Sequence, residues 1–442
     1  MIMDFSSLKA NKRRLRKDLE SLGKFGEGPD GGILRTALSD ADLQAREWFK
    51  GRMRDAGLWV REDAVANIIG RLEPASGAQA APCIATGSHM DAVLHGGKFD
   101  GAVGLCCSLE ALRAIQESGL SIPCPLELIV FTDEEGAHYA GTFGSRAMLN
   151  LLVEDEIYKS RGSGCPFLAQ SLERMGKDPR QSGKAARSPS EFRAFLELHI
   201  EQGPVLDSLG IPVGVVEGIV AIDRHMIEVE GKAGHAGTTP MRLRDDALVK
   251  AAGFITAVNR EVRSLGSDIV GTIGEMKVHP GAFNIIPGRV EMTLDLRSMK
   301  KSLLRSARGK IHEVLRSIPG ARMETVLSKD GSRMDRKIME LIEEVCRQRG
   351  VSWKRMGSGA GHDAMTFPTR GIPTGMIFIP CEDGKSHCPE ESIRWEDAAI
   401  GAQVLADTIV RIAHGSDLNG MSKRAKREKG EMKKDGKRDG ER

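Results

Sequence analysis

The chain has 442 residues, 40% hydrophobic and 28% charged, a globular composition too long for one average domain. Its formal net charge is +3, but ten Lys/Arg against five Asp/Glu between Met421 and Arg442 place +5 there and leave about −2 elsewhere. That balance gives the body no basic surface for nucleic acid, no apolar run reaches the length of a membrane span, and the eight scattered cysteines read as reduced thiols of a cytoplasmic protein.

Met1-Ile-Met-Asp-Phe5 lacks the apolar core of a signal peptide, which carries the same cytoplasmic expectation. Residues 5–22 read as a helix with a basic face, and Gly23 to Gly32 as a loop. Ser39-Asp40 supplies a cap for a helix to about Ala56, with Leu43, Trp48, Phe49 and Met53 as its apolar stripe. Trp59 to Leu72 alternates like a hairpin, and a turn-rich connection from Pro74 to Pro82 follows. Cys83-Ile-Ala-Thr86 is a short buried strand that runs into Gly87-Ser-His89, skips one residue and presents Asp91. After a Gly-rich turn, Asp100-Gly101 opens a helix to Ser118 with Val103, Leu105, Leu109, Leu112 and Ile115 inside.

Leu126 to Phe131 is a second buried strand, followed by Thr132-Asp-Glu-Glu-Gly136. Phe195 to His199 is a third, followed by Glu201-Gln-Gly-Pro204. Strands separated by helices predict a parallel sheet covered on both faces, with ligands at the carboxyl ends of the strands. Three such ends deliver His89, Glu134/Glu135 and His199 to one rim, and His with carboxylates there is a metal-site pattern. A buried His held by a local Asp explains any one of these motifs by itself, but not their convergence.

From His225 the pattern changes. Strands at 225–230, 268–278 and 289–297, helices at 244–265 and 300–318, and a last strand at 322–327 give the order β-α-β-β-α-β of a ferredoxin-like sandwich. The α/β pattern then resumes with a helix from Arg333 to Arg349, Gly357-Ser-Gly-Ala-Gly-His-Asp363, a strand from Thr374 to Ile379, His387, and a closing helix from Glu396 to His414. The expected division is 1–216 and 330–415 for the first domain, 217–329 for the inserted one, and 416–442 as a solvated, disordered basic tail.

Taken together, Gly87-Ser-His-Met-Asp91, Gly96-Gly-Lys-Phe-Asp-Gly101, Thr132-Asp-Glu-Glu-Gly136, Leu198-His-Ile-Glu-Gln-Gly203, Gly234-His-Ala-Gly-Thr-Thr-Pro-Met241, Phe283-Asn-Ile-Ile-Pro-Gly288 and Ser358-Gly-Ala-Gly-His-Asp363 carry a resemblance. The chain resembles the M20 metallopeptidase-like amidohydrolases from about residue 35 to 412. Within them it is most similar to the N-carbamoyl-L-amino acid hydrolase, β-ureidopropionase and allantoate amidohydrolase branch (the hydantoinase/carbamoylase group). The resemblance implies an α/β fold: a mixed-sheet, zinc-peptidase-like di-metal catalytic domain with an inserted ferredoxin-like lid that also pairs two chains into a homodimer. It implies two divalent ions, Zn or Mn with Co or Ni as further options, and a small ureido or carbamoyl substrate bearing a carboxylate.

Carried over residue by residue, His89, Glu135 and His387 become terminal metal ligands, Asp100 the bridging ligand and His199 the ligand that completes the second ion. Asp91 would orient His89, and Glu134 would be the general base that passes its proton to the leaving nitrogen. His235, reaching a neighbouring chain's site, would stabilise the oxyanion. Asn284, Arg297 and Gly361 would bind the substrate, with Arg297 forked on its carboxylate, and Gln202 would read the carbamoyl end. Peptidases and aminoacylases of the family usually carry an acidic residue where His199 stands, so His199 with Glu201-Gln202 favours the carbamoyl branch.

His362 is read as structural, and His95 and His138 as surface residues. Cys388 follows His387 directly, but the family has no cysteine ligand there. Ala92-Val-Leu-His95, His138 in place of the usual Arg, and Lys385 and Cys388 around His387 depart from the pattern; the last two bear on substrate identity. The rival readings are a peptidase or aminoacylase of the same fold, acting on N-acyl amino acids or dipeptides, and a non-catalytic binding protein.

Overall fold

The computed structural model describes residues 7–74, 77, 81–153, 155–162 and 164–415. The basic tail expected at 416–442, and the first residues of the expected amino-terminal helix, lie outside the described residues. The described residues form two compact units, the second made of Gly218–Ser332 and Gly357–Gly361 and the first of the rest.

The first unit opens with helix α1 (Lys12–Leu22), whose first N–H groups are capped by Asn11, and α2 (Asp40–Asp55), capped by Ser39. The strands β1 (Trp59–Glu62) and β2 (Ile68–Leu72) form the hairpin that their alternation predicts. Then come β3 (Cys83–His89), α3 (Ala102–Glu117), β4 (Leu126–Phe131), β5 (Phe192–Ile200) and β6 (Val213–Ile219). β3 and β4 are buried at every position, which is why they read as continuous apolar runs rather than alternating ones. α3 is buried from Ala102 to Ile115 and packs on β3, β4 and β5, so it is apolar nearly all round.

The second unit contains β7 (Ala221–Glu230), the two-residue β8 (Gly234–His235), α4 (Ala247–Ser264), β9 (Ile269–His279), β10 (Ile285–Ile286), β11 (Arg289–Ser298), α5 (Lys301–Arg316) and β12 (Ala321–Lys329). Its main sheet runs β12-β7-β11-β9, antiparallel throughout, the strand order of a ferredoxin-like fold. β7 buries Ala221, Asp223, His225, Ile227 and Val229, and β11 buries Val290, Met292, Leu294, Leu296 and Ser298. These alternate residues face Ala251, Phe254, Val258, Leu304, Ala307 and Ile311 of α4 and α5. The opposite face carries the charged partners Arg224, Asp295 and Arg297.

The chain then adds β13 (Ser332–Arg333), α6 (Arg336–Arg349), β14 (Trp353–Ser358), β15 (Thr374–Ile379) and α7 (Trp395–Ala413). The large sheet has the order β1-β2-β4-β3-β5-β15-β6-β13, with β14 also paired to β6. β4, β3, β5 and β15 are mutually parallel, whereas β2 joins β4 and β6 joins β15 antiparallel. A purely parallel sheet therefore holds only for the centre. The short turn at residues 63–67 makes β1 and β2 antiparallel, and the hairpin then adds its second strand beside β4 in the reverse direction.

Candidate metal centre

The four parallel strands end at one rim, where ligands collect in open α/β sheets. His89 is the last residue of β3, Asp133 to Glu135 follow β4, His199 is next to last in β5, and the loop after β15 carries His387. Asp100 lies one residue before the sharp entry to α3. Gly101 there has φ +62°, and a Cβ on it would lie 2.5 Å from the His89 ring, so this turn excludes a side chain.

Asp100 is the hub. Its Oδ1 lies 3.1 Å from His199 Nε2 and 3.5 Å from His89 Nε2, while its Oδ2 lies 3.2 Å from His387 Nε2. His387 Nε2 is 3.4 Å from Glu135 Oε2. Two groups of ligating atoms result, each small enough to hold one cation: His89, Asp100 and His199, and Asp100, Glu135 and His387. The carboxylate common to both turns one oxygen to each.

The histidine tautomers follow from their other contacts. His89 Nδ1 is 2.9 Å from the Asp91 carbonyl oxygen, and His199 Nδ1 is 3.0 Å from the Ile200 carbonyl oxygen. A carbonyl only accepts, so both Nδ1 atoms carry the proton and both Nε2 atoms lie beside Asp100, that of His199 also accepting the Gly101 N–H at 3.1 Å. Those two Nε2 atoms are 3.5 Å apart. Lone pairs and a carboxylate gathered in a buried site need a cation or added protons between them. Glu135 Oε1 and Gln202 Oε1 are also buried without a hydrogen-bond partner. Three imidazoles and two carboxylates suit Zn, Mn, Co or Ni, so the residues present fit the divalent ions.

Without a cation the site holds protons. Burial lowers the proton affinity of His89, but the charges of Glu134, Asp100, Asp91 and Glu135 outweigh it and raise the pKa well above the usual value. His387, hydrogen-bonded to Asp100, is raised to about 9. Burial and the nearby Asp100 charge push Glu135 up to about 7. Burial would raise Asp100, yet the histidines around it hold it well below the carboxylate range.

Asp91 acts differently from the simple expectation. Its main-chain carbonyl, not its carboxylate, takes the His89 hydrogen bond; Asp91 Oδ1 is 3.8 Å from His89 Nδ1. The carboxylate instead accepts the backbone N–H groups of Glu134 at 3.3 Å and Glu135 at 3.1 Å, fixing the segment after β4. Glu134 Oε2 lies 3.7 Å from His89 Nε2. Burial raises the Glu134 pKa well above the ordinary range; His89 opposes this, and Asp363, Glu135 and Asp91 add to it. Gln202 donates from Nε2 to Asp100 Oδ2 at 2.6 Å. Asp133, Gln202 and His387 all have φ between 55° and 57°, a left-handed backbone that costs a non-glycine residue about 1–2 kcal/mol.

The remaining sequence-predicted residues belong to the second unit. His235 is exposed on β8, paired with Ile285, and its Nδ1 accepts N–H groups from Gly237 at 3.1 Å and Thr238 at 3.2 Å. Its Nε2 therefore carries the proton and is free to donate. The Asn284 carbonyl accepts from Ala236 N at 2.9 Å, which ties the two motifs together. Arg297 is forked on Asp295 at 2.8 and 3.2 Å and donates from Nη1 to the Gly359 carbonyl at 2.8 Å, two residues from Gly361.

Four buried groups at the rim, Asp133, Glu197, Asp363 and Glu391, and the half-buried Ser386 were given no role by the sequence reading. Glu390-Glu391 reads locally as a solvated acidic pair, and only burial distinguishes Glu391. His362 is fully buried, its ring centroid 4.4 Å from that of His199, and burial with the His199 charge holds its pKa well below the usual value. His95 is exposed and pairs with Asp30 at 2.7 Å. Cys388 joins none of the cation-sized groups found among the described residues.

Residues 85–411 match the family described as Peptidase family M20/M25/M40. The chain is 37% identical to the N-carbamoyl-L-amino acid amidohydrolase of Geobacillus stearothermophilus over 91% of its length and 98% of the relative. It is 31% identical to the allantoate amidohydrolase of Escherichia coli, again over 91% of the chain and 98% of the relative. Among solved structures, an amidase of the hydantoinase/carbamoylase family from Burkholderia multivorans superposes with a TM-score of 0.84 at 30% identity, covering 92% of this chain and 99% of that one. The chain belongs to the M20 family.

Proposed function

We propose that the protein is a binuclear metal-dependent amidohydrolase. It cleaves a linear C–N bond of a carbamoyl or ureido substrate bearing a carboxylate, of the N-carbamoyl-L-amino acid or allantoate type, and releases ammonia. The observation that carries this reading is the shared Asp100, with His89 and His199 at one oxygen and His387 at the other. The names of relatives along nearly the full chain support the substrate class.

His89, Asp100, Glu135, His199 and His387 would hold the two ions. When bound, divalent ions supply Lewis acidity, polarising the scissile carbonyl and lowering the pKa of a water. Glu134 takes a proton from the attacking water and delivers it to the leaving nitrogen, a role that suits a carboxyl whose proton affinity is raised. Asp91 keeps Glu134 and Glu135 in place through their backbone. His235 donates from Nε2 to the developing oxyanion, Arg297 with Asn284 and Gly361 binds the substrate carboxylate, and Gln202 reads the carbamoyl end. For a carbamoyl amino acid the products are the amino acid, carbon dioxide and ammonia.

The chain would act as a cytoplasmic homodimer paired through its second unit. In support, β9 is an edge strand of that unit with Val270 and Met276 exposed. Ammonia release from a panel of N-carbamoyl-L-amino acids, allantoate, ureidoglycolate and β-ureidopropionate, with Mn, Zn, Co and Ni each reconstituted, tests the reading. Turnover of N-acetyl amino acids or dipeptides alone would move the protein to the aminoacylase or peptidase side. Binding without turnover would make it a non-catalytic relative.

A further inference from the structure

Glu391 is 5% exposed and lies four residues beyond His387. One oxygen of its carboxylate is spent on the segment that carries Asp100, the other on its own loop. Oε1 accepts the backbone N–H of Phe99 at 2.7 Å and of Asp100 at 3.0 Å. On the other side, Ser386 Oγ lies 3.0 Å from Glu391 Oε2 and 3.1 Å from Asp100 Oδ2, so one hydroxyl proton is shared between two carboxylates. The sequence has made room for this arrangement. A Cβ on Gly97 would lie 2.1 Å from the Glu391 carboxylate carbon, so a side chain at 97 cannot coexist with Glu391 in its place.

Two loops of distant origin are thereby locked together. One runs from Gly96 to Asp100 after β3, and the other carries Ser386, His387 and Glu391 after β15. Asp100 and His387 face each other at 3.2 Å across this joint. His89 and His199, in contrast, stand on neighbouring strands of the sheet and need no such clamp. Nothing in the mechanism uses Glu391: it belongs to neither cation-sized group containing Asp100.

We propose that Glu391 is a positioning residue that holds Asp100 and His387 in register, and that it selectively sets retention of the cation at the Asp100–Glu135–His387 group. The proposal rests on the reading of the rim as a binuclear metal site. A backbone clamp of this kind orients the ligand without touching the ion, and loss of such partners typically costs about 10–100-fold in metal affinity.

The test titrates metal-free wild type, Glu391→Gln and Ser386→Ala with Zn or Mn by calorimetry, and measures metal content after dialysis against a weak chelator. Wild type should retain two ions. Glu391→Gln should bind one ion as wild type does and the other about 10–100-fold more weakly, and Ser386→Ala should shift the same ion in the same direction by less. The unfolding temperature of the metal-free variant should not fall, because a purely structural residue would lower it and leave the two affinities alone. Wild-type affinity for both ions, or equal weakening of both, overturns the proposal. If Glu391→Gln does not fold, unchanged affinity in Ser386→Ala overturns it. A wild type that binds no divalent ion overturns the metal-site reading itself, a separate and recognisable outcome.

Discussion

Replacing Glu134 by Gln tests the chemical step with little else disturbed. The amide has the shape of the carboxylate, and the backbone of Glu134 is held by Asp91 through its N–H, which the substitution retains. Glu134 belongs to neither cation-sized group containing Asp100, so metal content should stay at the wild-type value. Its ionised form costs the folded metal-free protein free energy, because burial and the Asp363, Glu135 and Asp91 carboxylates disfavour it. That cost is absent at acid pH and grows as pH rises above the ordinary carboxylate value, so Glu134→Gln should flatten the alkaline side of the metal-free stability profile rather than lower it. What the amide cannot do is take a proton from water and pass it on. Loss of a general base costs roughly 10²–10⁴-fold in kcat, or about 3–5 kcal/mol in the barrier. The assay is steady-state ammonia release by metal-loaded enzyme, with metal content measured on the same preparation. Turnover within a few-fold of wild type at full metal content would remove Glu134 as the base.

Three further outcomes are expected. Arg297→Lys keeps the charge but loses the planar fork that now spans both oxygens of Asp295, so KM for carboxylate substrates should rise by about 10–100-fold, the worth of a charged hydrogen bond; equal use of an amide-capped analogue by wild type would count against the role. In the metal-free protein His387 is raised from 6.5 to about 9 and Glu135 from 4.5 to about 7, so the folded state binds these protons more tightly than the unfolded chain. Its stability should therefore fall as pH rises from 6 to 9 while metal affinity climbs across the same window, and a metal-free unfolding temperature that rises with pH there would contradict the assigned charges. Mixing Glu134→Gln with His235→Ala under subunit exchange should restore about a quarter of wild-type activity if the histidine serves a second chain, since half the dimers are mixed and each then has one intact site of two. No recovery despite demonstrated heterodimers would assign His235 to its own chain.

Much of this protein is legible in one dimension. Short apolar runs at 83–86, 126–131 and 374–379 announce central strands because such strands are buried on both faces, and each is followed by residues with metal-binding chemistry. The alternation of β7 and β11 and the helices between the strands of the second unit give its ferredoxin-like order, since every connection there is local. Ligand types are legible from convergence: a histidine or an acid after one buried strand has a structural use, but three such strand ends meeting at one rim need more than that.

Tertiary structure alone decided what depends on pairs of distant segments. That the hairpin β1–β2 is the element that reverses beside β4 is a matter of edge pairing that no local pattern encodes; the mixed sheet itself came only with the family resemblance. That Asp91 spends its carboxylate on the backbone after β4, and gives His89 only a carbonyl, needed the two strand ends side by side. Glu391 is the plainest case. In sequence it is one of two adjacent acids near a proline, and such pairs ordinarily face water. Only the approach of residues 386–391 to residues 96–100, across almost three hundred positions, buries it and supplies the two N–H groups that make its burial tolerable.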